Sequence, residues 1–431
     1  MLRSPEFMPT NSQSVGAHLK RMFEDATEET LRNLLSSKTT KLPPRVPGAS
    51  LSNPEAVERR WKLLPNSNQC RDELFDPKTR ERHAAYGGNI ENFIGTVKIP
   101  VGIAGPLRVN GLHAQGDYYL PLATTEAALV ASYHRGAIVI SESGGCTALL
   151  LAEGVSRAPG FAFKSLIDVG VFITWALSQI DAFKIEAEAT TRHGKLADMR
   201  VTVEGNHVYL NFEFLTGDAA GQNMVTIATQ AICDFIKVHT PVTPDYFFVE
   251  SNFSGDKKAS AQSFQSVRGR KISAEVNLSA ELIARRLHTT ARAMENYWRM
   301  SALGGVLSGT IGVQGHYANG LAALYIATGQ DAACVSESAV GITRFEALPD
   351  NSLYAAVTLP NLIVGTVGGG TKLPSQSACL ELLGLNGTGH ARAFAEVAAA
   401  LALAGEISII AALSAHQFTG AHAKLARGTQ P

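Results

Sequence analysis

Residues 199–214 read MRVTVEGNHVYLNFEF. Apolar and polar side chains alternate from Met199 to Val203 and again from His207 to Phe214. That is the period of strands with one buried face, and Gly205-Asn206 between them is a hairpin turn. Working outward, Phe161–Phe163 reads as a short strand, Ser165–Ile180 as a helix and Lys184–Ala189 as a second strand. After the hairpin, Asp218 to about Val238 is helical and Tyr246–Glu250 is a last strand. With one strand to spare, the stretch reads as the order β-α-β-β-α-β, a ferredoxin-like split unit. It occupies residues 158–251 and reads as a small domain inserted into a larger one made of residues 76–157 and 252–431. The predicted class is α+β, with the large α/β domain built around a buried helix. Residues 1–75 form an N-terminal helical segment: Val15–Ser37 has helical periodicity, Pro43-Pro44 and Pro47-Gly48 break the chain, and a short helix starts at Pro54. Residues 1–7 read as a cloning-vector remnant, and residues 9–15 as disordered.

The 431 residues exceed one ordinary core, so two or three domains are expected. At 45% hydrophobic and 18% charged, the composition is that of a globular protein. Thirty-eight basic against 38 acidic residues leave no net field, which argues against bulk binding to nucleic acid or an anionic membrane. The most apolar stretch, Phe394–Ala415, is interrupted by Glu396, Gly405 and Glu406 and reads as a buried helix, not a membrane span. Cys70, Cys146, Cys233, Cys334 and Cys379 are scattered and odd in number, so neither a disulfide framework nor a zinc knuckle is indicated, and a reducing cytoplasm fits. His416 and His422 lie six apart, off one helical face, and no metal-ligand spacing is present.

Ordered motifs run through the larger part of the chain: Glu91-Asn92-Phe93-Ile94-Gly95, Ala123-Thr124-Thr125-Glu126, Asp218-Ala219-Ala220-Gly221-Gln222-Asn223-Met224, Gly255-Asp256-Lys257-Lys258, Gly329-Gln330-Asp331-Ala332-Ala333, Gly365-Thr366-Val367-Gly368-Gly369-Gly370-Thr371, and a late His422. Together, from about Pro54 onward, they resemble the catalytic domain of 3-hydroxy-3-methylglutaryl-CoA (HMG-CoA) reductases, in the class I, eukaryote-like form. The resemblance implies an NADPH-dependent, four-electron reduction of HMG-CoA to mevalonate and coenzyme A, with no metal. It also implies a homodimer with the active site at the subunit interface and the nucleotide on the small domain. Membrane-anchored members carry spans ahead of this region, so a soluble form is expected here.

Residue by residue, the resemblance makes Lys257 the cation at the developing oxyanion, Glu126 a proton donor, Asp331 the carboxylate between them and His422 the donor to the leaving thiolate. It places Arg157 and Lys258 on the acyl carboxylate, Asn252 and Asn319 on polar acyl contacts, and Ser132 and Arg135 on coenzyme A. Arg192 would meet the 2′-phosphate of NADPH, favouring it over NADH. Asp218, Ala219, Gly221, Asn223, Met224 and Gly368 would border the cofactor. The chain departs from the family pattern at Ala220 and Gln222, where methionines are usual, and at Gly428, where animal members have a phosphorylated serine.

Each residue also has a plainer reading. Lys257 and Lys258 could be an exposed loop pair. Glu126 could be an acid favouring a helix N-terminus capped by threonine, in which case burial or a second carboxylate would be needed to make it an acid catalyst. Asp218 could be only an N-cap, and His422 a solvated tail residue. A catalytically silent acyl-CoA-binding relative, or an NAD-dependent enzyme oxidising mevalonate, are the alternative functions.

Overall fold

The computed structural model describes residues 20, 23–24, 26–37, 41, 43–64 and 67–416. His422 and Gly428 lie outside the described residues, as do residues 1–19. The hairpin forms as read, with strand β5 (Lys195–Glu204) antiparallel to β6 (His207–Leu215) and Val203 opposite Val208. Val208, Leu210, Phe212 and Phe214 all point into one core, as a two-residue period requires. Beside β6 lies β4 (Gly160–Ala162), and beside that β7 (Tyr246–Phe248), all antiparallel. Helices Leu166–Ser178, Ile180–Ala189 and Gln222–His239 close this unit around Phe161, Phe172, Phe183, Phe212 and Ile232.

Two sequence readings are corrected here. Lys184–Ala189 is not a strand: it is the end of helix Ile180–Ala189, which buries Phe183 and Ala187 four residues apart. The second strand of the unit is β5 instead. The helix expected from Asp218 begins at Gln222, after Gly221 turns the chain with φ 81°.

The other strands build a second, larger core. β8 (Gly269–Leu278) and β10 (Leu353–Leu362) are antiparallel, and β9 (Ile342–Ala347) flanks β10. Ile272, Ala274, Val276 and Leu278 of β8 and Leu353, Ala355, Val357 and Leu359 of β10 are buried on alternate positions. β3 (Cys146–Arg157) joins the two units. Thr147–Gly154 pairs with β8, and Val155–Arg157 pairs with β6. β1 (Val101–Gly111) and β2 (Gln115–Ala123) complete the sheet beside the start of β3.

Helix Ala391–Ser414 runs through this core with residues such as Phe394, Val397, Leu401, Leu403 and Ile407 buried. It is long and apolar enough to cross a membrane, yet 83% of its most apolar 18-residue window is buried inside the protein. Its two acids explain the interrupted apolar pattern. Glu396 accepts from the amides of His113 (2.8 Å) and Ala114 (2.7 Å), and Glu406 from those of Gly315 (2.7 Å) and His316 (2.8 Å) and from the Thr343 hydroxyl (2.8 Å). Buried carboxylates thereby satisfy loop amides that would otherwise be unpaired.

At the N-terminal side, helix Pro54–Trp61 is capped by Asn53 and buries Arg60 and Trp61. The Arg60 guanidinium donates to the carbonyls of Pro47 and Phe93, and the Trp61 indole to that of Ile94. This holds the Glu91–Gly95 loop, with Phe93 packed among Val57, Trp61 and Phe75.

Candidate active site

The first group of site residues lies where β2 leads into helix Leu129–Glu142. Thr124 Oγ1 accepts from the Glu126 amide at 3.0 Å. Ala128 then adopts φ 69°, and the helix starts at Leu129, so Glu126 is a loop residue ahead of the first turn. Its carboxylate accepts from Asn319 Nδ2 at 3.3 Å, across from helix Tyr317–Thr328. Glu126, Ser132, Arg135, His316 and Asn319, with Leu129, Ile409 and Leu413, line one cleft of about 460 Å³. Sequence reasoning missed Ser408 behind its wall. This buried serine receives hydrogen bonds from Ser132 Oγ (3.0 Å) and Arg135 Nε (3.1 Å), and its carbonyl one from Arg135 Nη2 (2.6 Å). It fixes both predicted coenzyme A contacts to the central helix. Burial lowers the Arg135 guanidinium from its ordinary value.

The second group surrounds Lys257. Its Nζ lies 2.8 Å from Asp331 Oδ2, and Asp331 Oδ1 caps the turn Ala332–Cys334 through the Ala333 amide at 3.0 Å. The hydrogen bond to Asp331 raises the Lys257 ammonium above its ordinary value. The lysine therefore stays a cation through neutral pH. Replacing Asp331 with asparagine removes that hold, so the alkaline limb of a kcat/KM profile is expected to move to lower pH; an unmoved limb would mean that Lys257 does not titrate in it.

Lys257 also has φ 57°, a left-handed backbone that a side chain rarely adopts. The conformation is held from beneath, where Glu337 Oε1 accepts the Lys257 amide at 3.0 Å. Glu337 is fully buried and takes two hydrogen bonds from Arg268 Nη1, at 2.6 Å to Oε1 and 2.5 Å to Oε2. Burial pushes the Glu337 carboxyl upward against the pull of the Arg268 guanidinium. Arg268 Nη2 reaches Asp256 Oδ1 at 2.7 Å, and Asp256 Oδ2 lies 3.1 Å from Arg157. Arg157 is only 5% exposed, and its Nη1 also donates to Glu250 at 2.8 Å. Its charge is thus already paired with two carboxylates, and the described residues offer its buried Nε no partner. Asn252, at φ 68°, and Lys258 stand on the exposed side of the same loop.

The cofactor candidates form a third group. Ala219 bridges Val367 in parallel, and a Cβ on Gly365 would lie 2.5 Å from the Ala220 nitrogen, so the two motifs meet backbone to backbone. Arg270 ties them together, donating to the carbonyls of Gly217 and Val364. Gly368 faces open space. Among the described residues no side chain caps helix Gln222–His239, so the amides of its first turn, Asn223 and Met224 included, can meet an anion. Thr191 Oγ1 contacts Met224 Sδ at 2.9 Å, which puts the exposed Arg192 loop beside that turn. A dinucleotide phosphate chain fits this frame. The Asp218 carboxylate accepts from the amides of Gly389 (2.8 Å) and Ala391 (3.2 Å), at the start of the central helix. It positions the loop through that helix.

The first two groups do not meet in one chain. Asn319 is the third residue of helix Tyr317–Thr328 and Asp331 lies past its end, with roughly 14 Å of the helix axis between them. Neither Lys257 nor Asp331 lines the Glu126 cleft.

The chain as a whole resembles known proteins. The family model for hydroxymethylglutaryl-coenzyme A reductase matches residues 56–427. A 3-hydroxy-3-methylglutaryl-coenzyme A reductase of Methanocaldococcus jannaschii is 42% identical over 354 residues, covering 80% of this chain and 87% of that one. The chain belongs to the hydroxymethylglutaryl-coenzyme A reductase family. The Haloferax volcanii reductase is 43% identical over 344 residues (78% of this chain, 85% of that one), and reductase 1 of Dictyostelium discoideum is 35% identical over 380 (85% and 68%). Among solved structures, the class II HMG-CoA reductase of Streptococcus pneumoniae, bound to NADPH in open conformations, shares the fold. Its TM-score is 0.62 at 19% identity, covering 83% of this chain and 96% of that chain.

Proposed function

We propose that the chain reduces HMG-CoA to mevalonate and coenzyme A, as a cytoplasmic homodimer in which the Glu126 cleft of one subunit faces the Lys257–Asp331 pair of the other. The observation that carries this is the Lys257–Asp331 pair itself, an ammonium held at 2.8 Å by a carboxylate on a backbone pinned from below. The reading divides the chain into an N-terminal helical segment (1–75), a substrate domain (76–157 and 252–431) and a ferredoxin-like cofactor domain (158–251). The two separate apolar cores support that division.

In this reading the Lys257 ammonium stabilises the oxygen that becomes negative when the thioester carbonyl is reduced. The resulting hemithioacetal collapses, and the coenzyme A thiolate takes its proton from His422. Lys257 then stabilises the second alkoxide, which is protonated from Glu126 as the aldehyde becomes the primary alcohol. Asn319 orients the Glu126 carboxylate, and Asp331 keeps Lys257 charged. Ser132 and Arg135, fixed by Ser408, hold the coenzyme A portion. Arg157, Lys258 and Asn252 face the acyl carboxylate and its neighbours. NADPH supplies the two hydrides when bound. The first-turn amides of helix Gln222–His239, together with Ala219, Gly221, Met224 and Gly368, would hold its pyrophosphate and nicotinamide side, and Arg192 its 2′-phosphate.

The formed Lys257–Asp331 pair disfavours a silent acyl-CoA binder, and Arg192 disfavours an NAD-dependent mevalonate oxidase. The test is HMG-CoA-dependent oxidation of NADPH beside NADH, with mevalonate measured. Two NADPH consumed for each mevalonate formed is the expected result. Arg192→Glu is expected to raise KM for NADPH selectively, by about tenfold or more for loss of a charge-assisted phosphate contact. Equal losses with both nucleotides would remove Arg192 from that role.

A further inference from the structure

Gln222 stands where the Lys257 group meets the first turn of helix Gln222–His239. It is the first residue of helix Gln222–His239, directly after the turn at Gly221. Both ends of its amide are engaged. Oε1 accepts from Arg268 Nη2 at 2.6 Å, and Nε2 lies 3.3 Å from Cys334 Sγ. On the first side, Arg268 also holds Asp256, next to Lys257 in the chain, and Glu337, which carries the Lys257 amide. On the second side, Cys334 ends the turn Ala332–Cys334, whose amide donates to the Asp331 carbonyl at 3.0 Å and whose cap is the Asp331 carboxylate. One side chain at the start of a helix therefore touches the support of the lysine and the support of its aspartate.

We propose that Gln222 is a positioning residue that sets the Lys257–Asp331 pair against the first turn of the nucleotide-binding helix. The proposal rests on the reading of Lys257 and of that helix given under Proposed function. Gln222 makes no contact with substrate in this account. It acts by registering two elements, so that the ammonium stands over the carbonyl in the orientation from which a hydride can be delivered. An apolar side chain of similar length would fill the space and lose both polar contacts, letting the loop of Asp256-Lys257 and the helix shift independently. Displacements of that kind far from the chemistry can lower turnover on the order of 10²-fold when they reach about 1 Å.

The experiment compares Gln222→Met, Gln222→Glu and Lys257→Ala in the full chain. Gln222→Met is expected to lower kcat about tenfold to a hundredfold, with KM for HMG-CoA unchanged and with NADPH affinity, read from the fluorescence of the bound nucleotide, also unchanged. Without nucleotide, amide hydrogen exchange at Lys257 is expected to speed up in this variant. Gln222→Glu keeps an oxygen for Arg268 and is expected to recover most of the turnover. Wild-type kcat in Gln222→Met overturns the proposal, as does a loss that comes with weakened NADPH binding and no faster exchange at Lys257. If Lys257→Ala retains activity, the reading of the site fails instead; if Lys257→Ala is inactive and Gln222→Met is normal, only the coupling fails.

Discussion

Replacing Lys257 with alanine is expected to lower kcat by about 10²–10³, the usual effect of removing one preorganised group from a developing oxyanion, while leaving the protein folded. The side chain is 43% exposed, and its one described polar contact is Asp331. Its removal uncovers no apolar core. Asp331 keeps its cap on the Ala333 amide, so the turn beside it stays formed. A change in stability of roughly half a kcal/mol or less is expected, as for other surface substitutions. Lys257→Arg is not a conservative rescue, because a planar fork does not occupy the position of a compact ammonium. HMG-CoA-dependent oxidation of NADPH, run beside a thermal melt, separates the two effects. Lost activity with an unchanged melt is the expected pair of results; wild-type turnover would take Lys257 out of the chemistry.

The largest expected effect on stability comes from Glu337→Ala. This carboxylate has no exposed surface, and it pairs with Arg268, whose side chain is 3% exposed. Removing it leaves the guanidinium with Asp256 as its remaining carboxylate and leaves the Lys257 amide unpaired. Breaking one side of a buried ion pair costs about 3–5 kcal/mol. Urea unfolding should show the midpoint falling with an unchanged slope. Glu337→Gln keeps an acceptor for the amide and is expected to lose less. A midpoint equal to wild type in Glu337→Ala would show that Arg268 finds a replacement partner and that Glu337 is not the anchor of the loop.

The hairpin and the central helix were legible because their periods are regular and their burial follows from local sequence. The interruptions at Glu396 and Glu406 were legible as evidence against a membrane span, though not as caps, because the amides they receive come from distant loops. Lys184–Ala189 misleads for a simple reason: polar residues alternate with Ile185, Ala187 and Ala189, which imitates a strand. The helix buries Phe183 and Ala187 and leaves Ile185 70% exposed. Glu126 looked like the first turn of a helix, and nothing local announced that Ala128 would turn left-handed. Asp218 was read as opening its own helix, whereas it caps one that begins more than 170 residues later. Lys257 and Asp331 were legible through their motifs alone. Glu337, Arg268 and Ser408 carried no signal, because each matters only through partners that the fold brings from far along the chain.

In the proposed dimer Glu126 and Lys257 act on one substrate although a single chain holds them at opposite ends of helix Tyr317–Thr328. Co-expression of differently tagged Glu126→Gln and Lys257→Ala chains, followed by isolation of the mixed dimers, tests it directly. A site shared between subunits gives each mixed dimer one intact pair, so about half the wild-type activity per dimer is predicted, from two chains that are each inactive alone. Mixed dimers as inactive as their parents would contradict the account.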